Sequence, residues 1–357
     1  MGEQEEISFR IGVIPTKDIR VSTYAKQRGG RTILPPKARQ PGGARAVLAD
    51  HFVRKSAFVI ALLSLLMNTT LVVQSLISGI MMGAVYALLG VGFSLTWGVM
   101  KVINISHAAF GLAGAFVAYA LLKWCGLDPL LSLGVTTPLL FLAGCITYRA
   151  LVVPVTKSKE VIVSSMILTF GVAIIIENVL LLIWGPEPRL LTTSYTTKVL
   201  IVGPFYFQYP WVAGFLMSIV SVTLIHLFLK KTYTGKAVRA AWQQPEASQL
   251  YGVNLKRISM ITFGIAVSSA GAGGVGLALL YSFEPHSHNL WLIYLFLVVI
   301  VGGVGNVLGT AAAGVIIGII TGLSLAFLPY QWVNLLTFGL LMIILVFRPH
   351  GLFRSEV

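Results

Sequence analysis

Charged residues are scarce in this chain of 357 residues. Asp, Glu, Lys and Arg make up 11% of the sequence, against roughly 25% in a soluble globular domain, while hydrophobic residues make up 56%. The sequence also lacks the strict apolar and polar alternation of strands in a transmembrane barrel. Its apolar runs, about 20 residues long, can cross a hydrocarbon core of about 30 Å as helices. We therefore predict an all-α polytopic membrane protein.

Several chemical motifs are missing as well. The sequence has no GxxxxGK[ST] phosphate loop, because Gly235 and Lys236 are followed by Ala237, and it has no GxSxG elbow, no HExxH and no paired carboxylates. The six His residues lack metal-ligand spacing, and the two Cys residues, Cys125 and Cys145, lie near opposite ends of one predicted span. We expect a chain that is not an enzyme and that binds no metal or other cofactor.

About ten apolar segments are long enough to be transmembrane helices. They lie near residues 57–74, 78–98, 108–123, 130–148, 161–184, 210–229, 259–281, 290–304, 309–327 and 331–347. Threading the chain alternately through them leaves only Lys123, Arg189 and Lys198 on one side, opposite the other loop Lys and Arg residues. Because cytoplasmic loops collect Lys and Arg, both termini are predicted to be cytoplasmic.

Residues 1–55 differ from the rest of the chain. They contain eleven basic and five acidic residues, are rich in Gly and Pro, and show no sustained periodicity, which predicts a disordered basic cytoplasmic tail before a transmembrane domain at residues 56–357. The net charge of +14 is spread over the tail and the loops. It does not form one face with interleaved aromatic residues, so we expect no nucleic acid partner.

Polar residues inside or between the spans have two interpretations. Glu177 lies within an apolar run, where a carboxylate facing lipid costs roughly 2.5 kcal/mol or more; it either contacts the transported solute or is a protonated or hydrogen-bonded packing residue. Asn104, Ser106 and His107 lie between two spans. They either cap the following helix through their side chains or line a translocation path.

Glycine is dense near residues 301–318. The predicted span at 290–304 is short, and Gly302, Gly303 and Gly305 at its end indicate a tight turn or a re-entrant element. Such glycines serve either close helix packing or contact with a substrate.

The polar block Lys230–Arg257 separates two long apolar regions and carries six basic residues and one acidic residue. Its pattern from Thr232 to Val253 predicts a short amphipathic helix that fits a groove, broken into two pieces at Pro245 and stopped at Gly252. A solvated cytoplasmic hairpin is the alternative.

Four segments of the chain resemble one family. They are SGIMMGAVYALLGVGFSLTWGVMKVINISHAAFGLAGAF, ILTFGVAIIIEN, VVIVGGVGNVLGTAAAGVIIGI and VFRPHGLF. In this order and spacing they resemble the permease subunits of ATP-binding-cassette importers, in particular the branched-chain amino acid permeases of the LivH type and their relatives for urea and short amides. The resemblance covers the chain after about residue 70. The sequence departs from the family pattern at Ala108, where many relatives have Gly, and at Pro245.

The resemblance implies a multi-pass importer subunit of the inner membrane, surrounded by membrane lipid, that works by alternating access. It would pair with a homologous second permease subunit of the LivM type, two cytoplasmic ATPase subunits that bind ATP-Mg, and an extracytoplasmic solute-binding protein. A cytoplasmic coupling helix in the loop at residues 230–258 would dock on an ATPase subunit. The implied coupling residues are Gly235, Ala237, Arg239, Ala240, Gln243, Ala247 and Gly252, with Arg239 and Gln243 as polar contacts. The implied solute path includes Tyr86, Asn104, His107 and Glu177.

Other functions stay open at this point. A urea or short-amide permease would have the same overall pattern. A secondary transporter or channel would work without an ATPase and would need ion-coupling residues inside the membrane, for which Glu177 is the candidate.

Overall fold

The computed structural model describes residues 43–156, 158–348 and 351–353, with side chains from Thr69 onward except at positions 330, 341 and 345. The predicted tail lies outside the described residues up to position 42. Backbone contacts divide the chain into two units, Met1–Ile60 and Ala61–Val357, and the packing and the sites below concern the described residues of the second unit.

The described part of the chain is built almost entirely of helices. In order, the elements are α1 (Gly43–Met100), α2 (His107–Cys125), α3 (Pro129–Thr147), a π-helical turn (Tyr148–Val152), α4 (Val153–Val155), α5 (Val161–Trp184), β1 (Val199–Val202), β2 (Phe205–Gln208), α6 (Tyr209–Lys231), α7 (Tyr233–Gln243), α8 (Pro245–Leu250), α9 (Leu255–Leu280), a 3-10 turn (Pro285–Ser287), α10 (His288–Gly302), α11 (Val307–Phe327) and α12 (Tyr330–Phe347).

Eight helical segments among the described residues are long and apolar enough to cross a membrane, and α12 adds a shorter apolar helix. This confirms an all-α polytopic membrane protein. The described residues show no break between the predicted spans at 57–74 and 78–98, which both belong to α1. The polar residues there are compatible with a helix, since the Ser75 hydroxyl donates to the Leu71 carbonyl (2.8 Å). The Gln74 side chain pairs with the backbone of Tyr206 in the β-hairpin (2.8 and 3.0 Å).

Backbone-to-backbone contact joins the central helices. A Cβ on Gly114 of α2 would lie 2.6 Å from the Cα of Gly271 in α9, and a Cβ on Gly83 of α1 would lie 2.7 Å from the Cα of Val315 in α11. Only glycine permits helices to approach this closely, as is common in membrane bundles. By contrast, large apolar side chains on α5 point outward, with Leu182 85% exposed.

The bundle has two distinct ends. The basic end consists of residues 98–105, 230–257 and 302–308, and the hairpin end consists of residues 126–128, 185–208 and 281–288. The hairpin end is held by a backbone bridge between Arg189 and Phe283 (2.8 and 2.9 Å). For the loops after residue 98, this division agrees with the sides predicted from the charges, because Lys230, Lys236 and Arg239 lie at one end and Arg189 at the other.

The two cysteines belong to different helices. Cys125 ends α2 and Cys145 lies in α3, and both thiols are free. The prediction that they lie near the ends of one span is therefore wrong, because the residues 126–128 between them form a loop.

Candidate functional site

Helix α7 lies at the basic end and is docked by one face. The Thr232 hydroxyl caps its start by accepting from the Gly235 N–H (3.0 Å). Ala237, Val238 and Ala241 are buried in a cluster with residues of α1, α6 and α9. Gly235 allows the close approach to α6, since a Cβ there would lie 2.6 Å from the Cα of Leu229.

A second short helix follows at once. Helix α7 ends at Gln243 and α8 begins at Pro245, which confirms the predicted two pieces. After α8, Gly252 has φ +82°, in the left-handed region that favours glycine. The chain then enters α9, whose first turn is capped by Asn254 Oδ1, which accepts from the Arg257 N–H (3.1 Å).

Two grooves flank the exposed face of α7. The first, which we call the α7–α8 groove, has a volume of 480 Å³ and is lined by Ala240, Gln243, Gln244, Ala247, Ser248 and Tyr251. The second, which we call the basic groove, has a volume of 610 Å³ and is lined by Leu95, Val99, His226, Leu229, Lys230, Val238, Arg239, Trp242, Gly305, Asn306, Val307 and Leu308. The structure thus brings together Ala240, Gln243 and Ala247 and places Arg239 on the opposite flank.

The predicted glycine turn packs against α7. Helix α10 ends at Gly302, and Gly303 and Gly305 have φ +84° and +81°, which confirms a tight turn. The Gly305 N–H donates to Ser94 Oγ in α1 (2.9 Å). A Cβ on Gly305 would lie 2.7 Å from Cε2 of Trp242, so the indole covers the turn directly.

Trp242 is a contact residue that the sequence analysis missed. The signal was present, since Trp242 lies one helical turn after Val238, on the side of the predicted helix that carries apolar residues. The same turn also holds the closing segment, because the Leu352 N–H donates to the Val301 carbonyl (2.7 Å) and Asn306 Nδ2 donates to the Phe353 carbonyl (3.1 Å).

Asn104, Ser106 and His107 are fully buried before and at the start of α2. The expectation that their side chains cap this helix is wrong, because Ser106 at the cap position makes no side-chain cap bond and its hydroxyl donates to Asn104 Oδ1 instead (2.6 Å). His107 Nε2 donates to the Leu89 carbonyl (3.2 Å). Asn104 Nδ2 and His107 Nδ1 find no hydrogen-bond partner among the described residues.

Tyr86 lines a cavity toward the hairpin end, which we call the chamber. Its ring stacks on that of Tyr294 (centroids 4.9 Å apart), whose hydroxyl donates to Asn334 Oδ1 (2.9 Å). The chamber has a volume of 390 Å³ and is lined by Met82, Tyr86, Leu277, Tyr281, Ser282, Ser287, Leu290, Trp291, Tyr294, Thr321, Leu325 and Val333. Its wall is mainly aromatic and aliphatic, and it carries no ionisable carboxylate or amine.

A group of aromatic rings closes the bundle between the chamber and the basic end. Phe93 lies two helical turns after Tyr86 on α1 and is fully buried. Its ring makes edge contacts with Trp97 (5.9 Å), His107 (5.7 Å) and Phe296 (5.1 Å). Tyr86 and His107 thus lie along one column of side chains.

Glu177 is separate from that column. Its carboxylate, 17% exposed, contacts His286 Nδ1 and lies 3.4 Å from His288 Nε2, so it ties α5 to the turn before α10. His288 Nδ1 donates to the Pro285 carbonyl (3.2 Å), which can only accept. Glu177 is not one of the chamber-lining residues, but Ser287 of the same turn is.

A polytopic bundle with a polar helix pair docked at one end and a small chamber between its helices has the architecture of a membrane transport protein. The chain belongs to the family described as the permease component of branched-chain amino acid transport systems, whose model matches residues 75–346.

Individual relatives agree with this family. The chain is 26% identical over 304 residues to the high-affinity branched-chain amino acid permease BraD of Pseudomonas aeruginosa, covering 80% of this chain and 96% of the relative. It is 26% identical over 302 residues to LivH of Escherichia coli, with the same coverage. It is also 32% identical over 155 residues to the fructose import permease FrcC of Rhizobium meliloti, covering 41% of each chain. No solved structure matches the chain.

Proposed function

We propose that this chain is the permease subunit of an ATP-driven importer for branched-chain or other small amino acids, with its basic end in the cytoplasm and its hairpin end outside. The family and its curated relatives support the solute class. The excess of Lys and Arg at the basic end supports the orientation, since cytoplasmic loops collect these residues. The host membrane is the inner membrane.

The complete importer contains three further kinds of subunit. A homologous second permease completes the membrane part, two ATPase subunits bind ATP-Mg at the basic end, and a solute-binding protein delivers the solute to the hairpin end. The chain itself holds no catalytic residue in this scheme, because its part is to convert a movement of the ATPase subunits into a movement of the bundle.

One observation carries the coupling proposal. Helix α7 is anchored by one face and leaves the α7–α8 groove open, so a partner can grip Ala240, Gln243 and Ala247 there. A push on α7 reaches the glycine turn through Trp242 and Gly305, and that turn joins α10 to α11. The helix pair therefore biases the bundle between two packings, which is what alternating access requires.

The chamber supplies the first part of the solute path. Its volume of 390 Å³ is within the range of about 300–1,000 Å³ for small-molecule pockets. Tyr86, Trp291 and Tyr294 offer apolar surface that suits a branched aliphatic side chain better than urea or a short amide, which need several hydrogen bonds. Below the chamber, Asn104 and His107 offer unpartnered polar atoms that a passing solute can contact when the aromatic rings separate.

Glu177 has a positioning role in this scheme. By holding His286 and His288 it fixes the turn that carries Ser287 at the mouth of the chamber. This arrangement does not favour an ion-coupled secondary transporter, since the carboxylate is held at the hairpin end by two imidazoles instead of lying free in the middle of the bundle.

The experiment compares the amount of ATPase that co-purifies with variants at two glutamines, Gln243 and Gln249. The tagged chain is purified from its native membrane in mild detergent, and co-purifying proteins are identified by mass spectrometry while ATPase activity is measured. We expect an ATPase and a second permease to co-purify. Replacing Gln243→Ala should reduce the retained ATPase by about threefold, the equivalent of a hydrogen bond worth ~0.7 kcal/mol.

The matched control is Gln249→Ala, which changes an exposed glutamine of α8 that does not line the α7–α8 groove. It should retain the ATPase fully. A chain that transports solute in its native membrane but carries no ATPase would overturn the proposal. Equal losses of co-purifying ATPase in the two variants would show that the α7–α8 groove is not the docking surface.

A further inference from the structure

The basic groove is a different surface from the α7–α8 groove, and the coupling proposal leaves it unused. Lys230 at the end of α6 and Arg239 on α7 both line it, and His226 lies one helical turn before Lys230. Among the residues that the structure describes, no acidic residue lines it. Among the described residues neither Lys230 nor Arg239 forms an ion pair or a side-chain hydrogen bond. The groove therefore presents two uncompensated cationic side chains.

The wall of the groove is apolar away from those cations. Leu95, Leu229 and Val238 are buried at its base, and Leu308 is 59% exposed at its edge. The N-terminus of α11 at Val307 adds partial positive charge on the same side. An occupant that satisfies both surfaces must have an anionic head and an apolar body.

The position of the groove selects a lipid as that occupant. It lies between the ends of the spanning helices α1, α6 and α11 and the docked helix α7, at the depth where spanning helices meet the aqueous phase. Basic pockets between transmembrane helices on this side of a membrane bind the headgroups of anionic lipids. Trp242, which also lines the groove, is a residue type enriched at the level of the headgroups.

We propose that the basic groove is a binding site for an anionic phospholipid, whose phosphate contacts Lys230 and Arg239 while an acyl chain follows the apolar wall. Such a lipid connects α6 to α7 and adjoins the Trp242 contact with the glycine turn. Bound lipid therefore holds the coupling helix against the bundle. A partner protein on the α7–α8 groove leaves this site open, because the two grooves lie on opposite flanks of α7.

The test compares lipid binding by variants at two neighbouring lysines, Lys230 and Lys231. The full chain is purified in zwitterionic detergent, stripped of lipid, and titrated by native mass spectrometry with dioleoylphosphatidylglycerol or, separately, dioleoylphosphatidylcholine. We expect the anionic lipid to bind about tenfold more tightly than the zwitterionic one. Lys230→Gln and Arg239→Gln should each weaken its binding by about fivefold, the equivalent of ~1 kcal/mol per cation.

Lys231→Gln is the matched control, because Lys231 is also exposed and adjacent in sequence but does not line the groove. It should bind the anionic lipid within about twofold of the unchanged chain. Equal losses for Lys230→Gln and Lys231→Gln would overturn the site, as would equal binding of the two lipids.

Two further experiments identify what binds in the basic groove. Inorganic phosphate at millimolar concentration should not displace the anionic lipid, and displacement would show a site for free phosphate instead. The assembled complex with its ATPase should keep the bound lipid. Its complete loss on assembly would show that the groove is a protein docking surface and would overturn the proposal.

Discussion

The two ends of the bundle use charge in opposite ways. At the hairpin end, Lys123 lies over the Trp184 ring (5.8 Å), Arg189 donates to the Trp184 carbonyl (2.7 Å), and Glu177 contacts two histidines. At the basic end, Lys230 and Arg239 have no such partners among the described residues. Charges already engaged within a subunit contribute to its own structure, whereas unengaged charges are free for partners. This contrast favours a structural role for the charges at the hairpin end and supports the proposed coupling role of the basic end.

The largest expected effect comes from the basic end. In Gly235→Val the new side chain meets the backbone of α6, where a Cβ would lie 2.6 Å from Leu229 Cα. Overpacking of this kind lowers stability by roughly 1–3 kcal/mol, so α7 should shift away from its packing position against α6. We expect leucine uptake in membrane vesicles to fall by about tenfold or more while the amount of inserted protein stays unchanged.

The same substitution at Gly134 in α3 is the control, since nothing lies within 4 Å of its Cβ position. Gly134→Val should leave uptake intact. If both variants lost uptake equally, the docking of α7 would not explain the effect.

A smaller effect is expected at the hairpin end. Glu177→Ala removes the partner of His286 and His288, and we expect the free energy of unfolding to fall by about 2 kcal/mol, as for hydrogen bonds to a charged group. The measurement is a denaturation midpoint in detergent at constant pH. Glu177→Gln should recover part of the loss because its amide can still hydrogen-bond.

Glu187→Gln serves as the reference, because Glu187 is an exposed carboxylate at the same end. It should not change the midpoint. Unchanged stability together with lost uptake in Glu177→Ala would make Glu177 a direct solute contact and would break the division of labour between the ends.

The smallest effect concerns the chamber. Tyr86→Ala removes the ring that stacks on Tyr294, and a stacked pair is worth about 1 kcal/mol. We expect the KM for leucine uptake to rise by about fivefold with little change in the maximal rate. Tyr206→Ala, in the exposed hairpin, is the control and should leave KM unchanged. A larger rise in KM for Tyr206→Ala than for Tyr86→Ala would exclude the chamber from the solute path.

The sequence predicted local features better than distant contacts. The break at Pro245 and the turn at Gly303 and Gly305 follow from backbone preferences of proline and glycine, which act over a few residues. The histidines that hold Glu177 could not be found this way, because His286 is 109 residues away in sequence. A polar Pro-His-Ser-His run at the start of a span was the available hint.

The missed features have physical causes as well. The predicted break between the spans at 57–74 and 78–98 does not occur in the described part of α1. Gln74 and Ser75 do not interrupt the helix, because the Gln74 side chain pairs with the backbone of Tyr206 and the Ser75 hydroxyl donates to the Leu71 carbonyl. The two flanks of α7 were not separated in the sequence because Arg239 and Gln243 lie one helical turn apart on its exposed side. Only the neighbouring helices, α6 on one flank and α8 on the other, divide them.

The glycine contacts between backbones restrict where the bundle can hinge. At Gly114 and Gly271, and again at Gly83 and Val315, no side chain lies between the helices that could change rotamer and let them slide. The helix pairs α2–α9 and α1–α11 therefore each move as one rigid body. A short chemical tether across either pair should leave transport intact, whereas a tether across the chamber, from Tyr86 to Tyr294, should lock it.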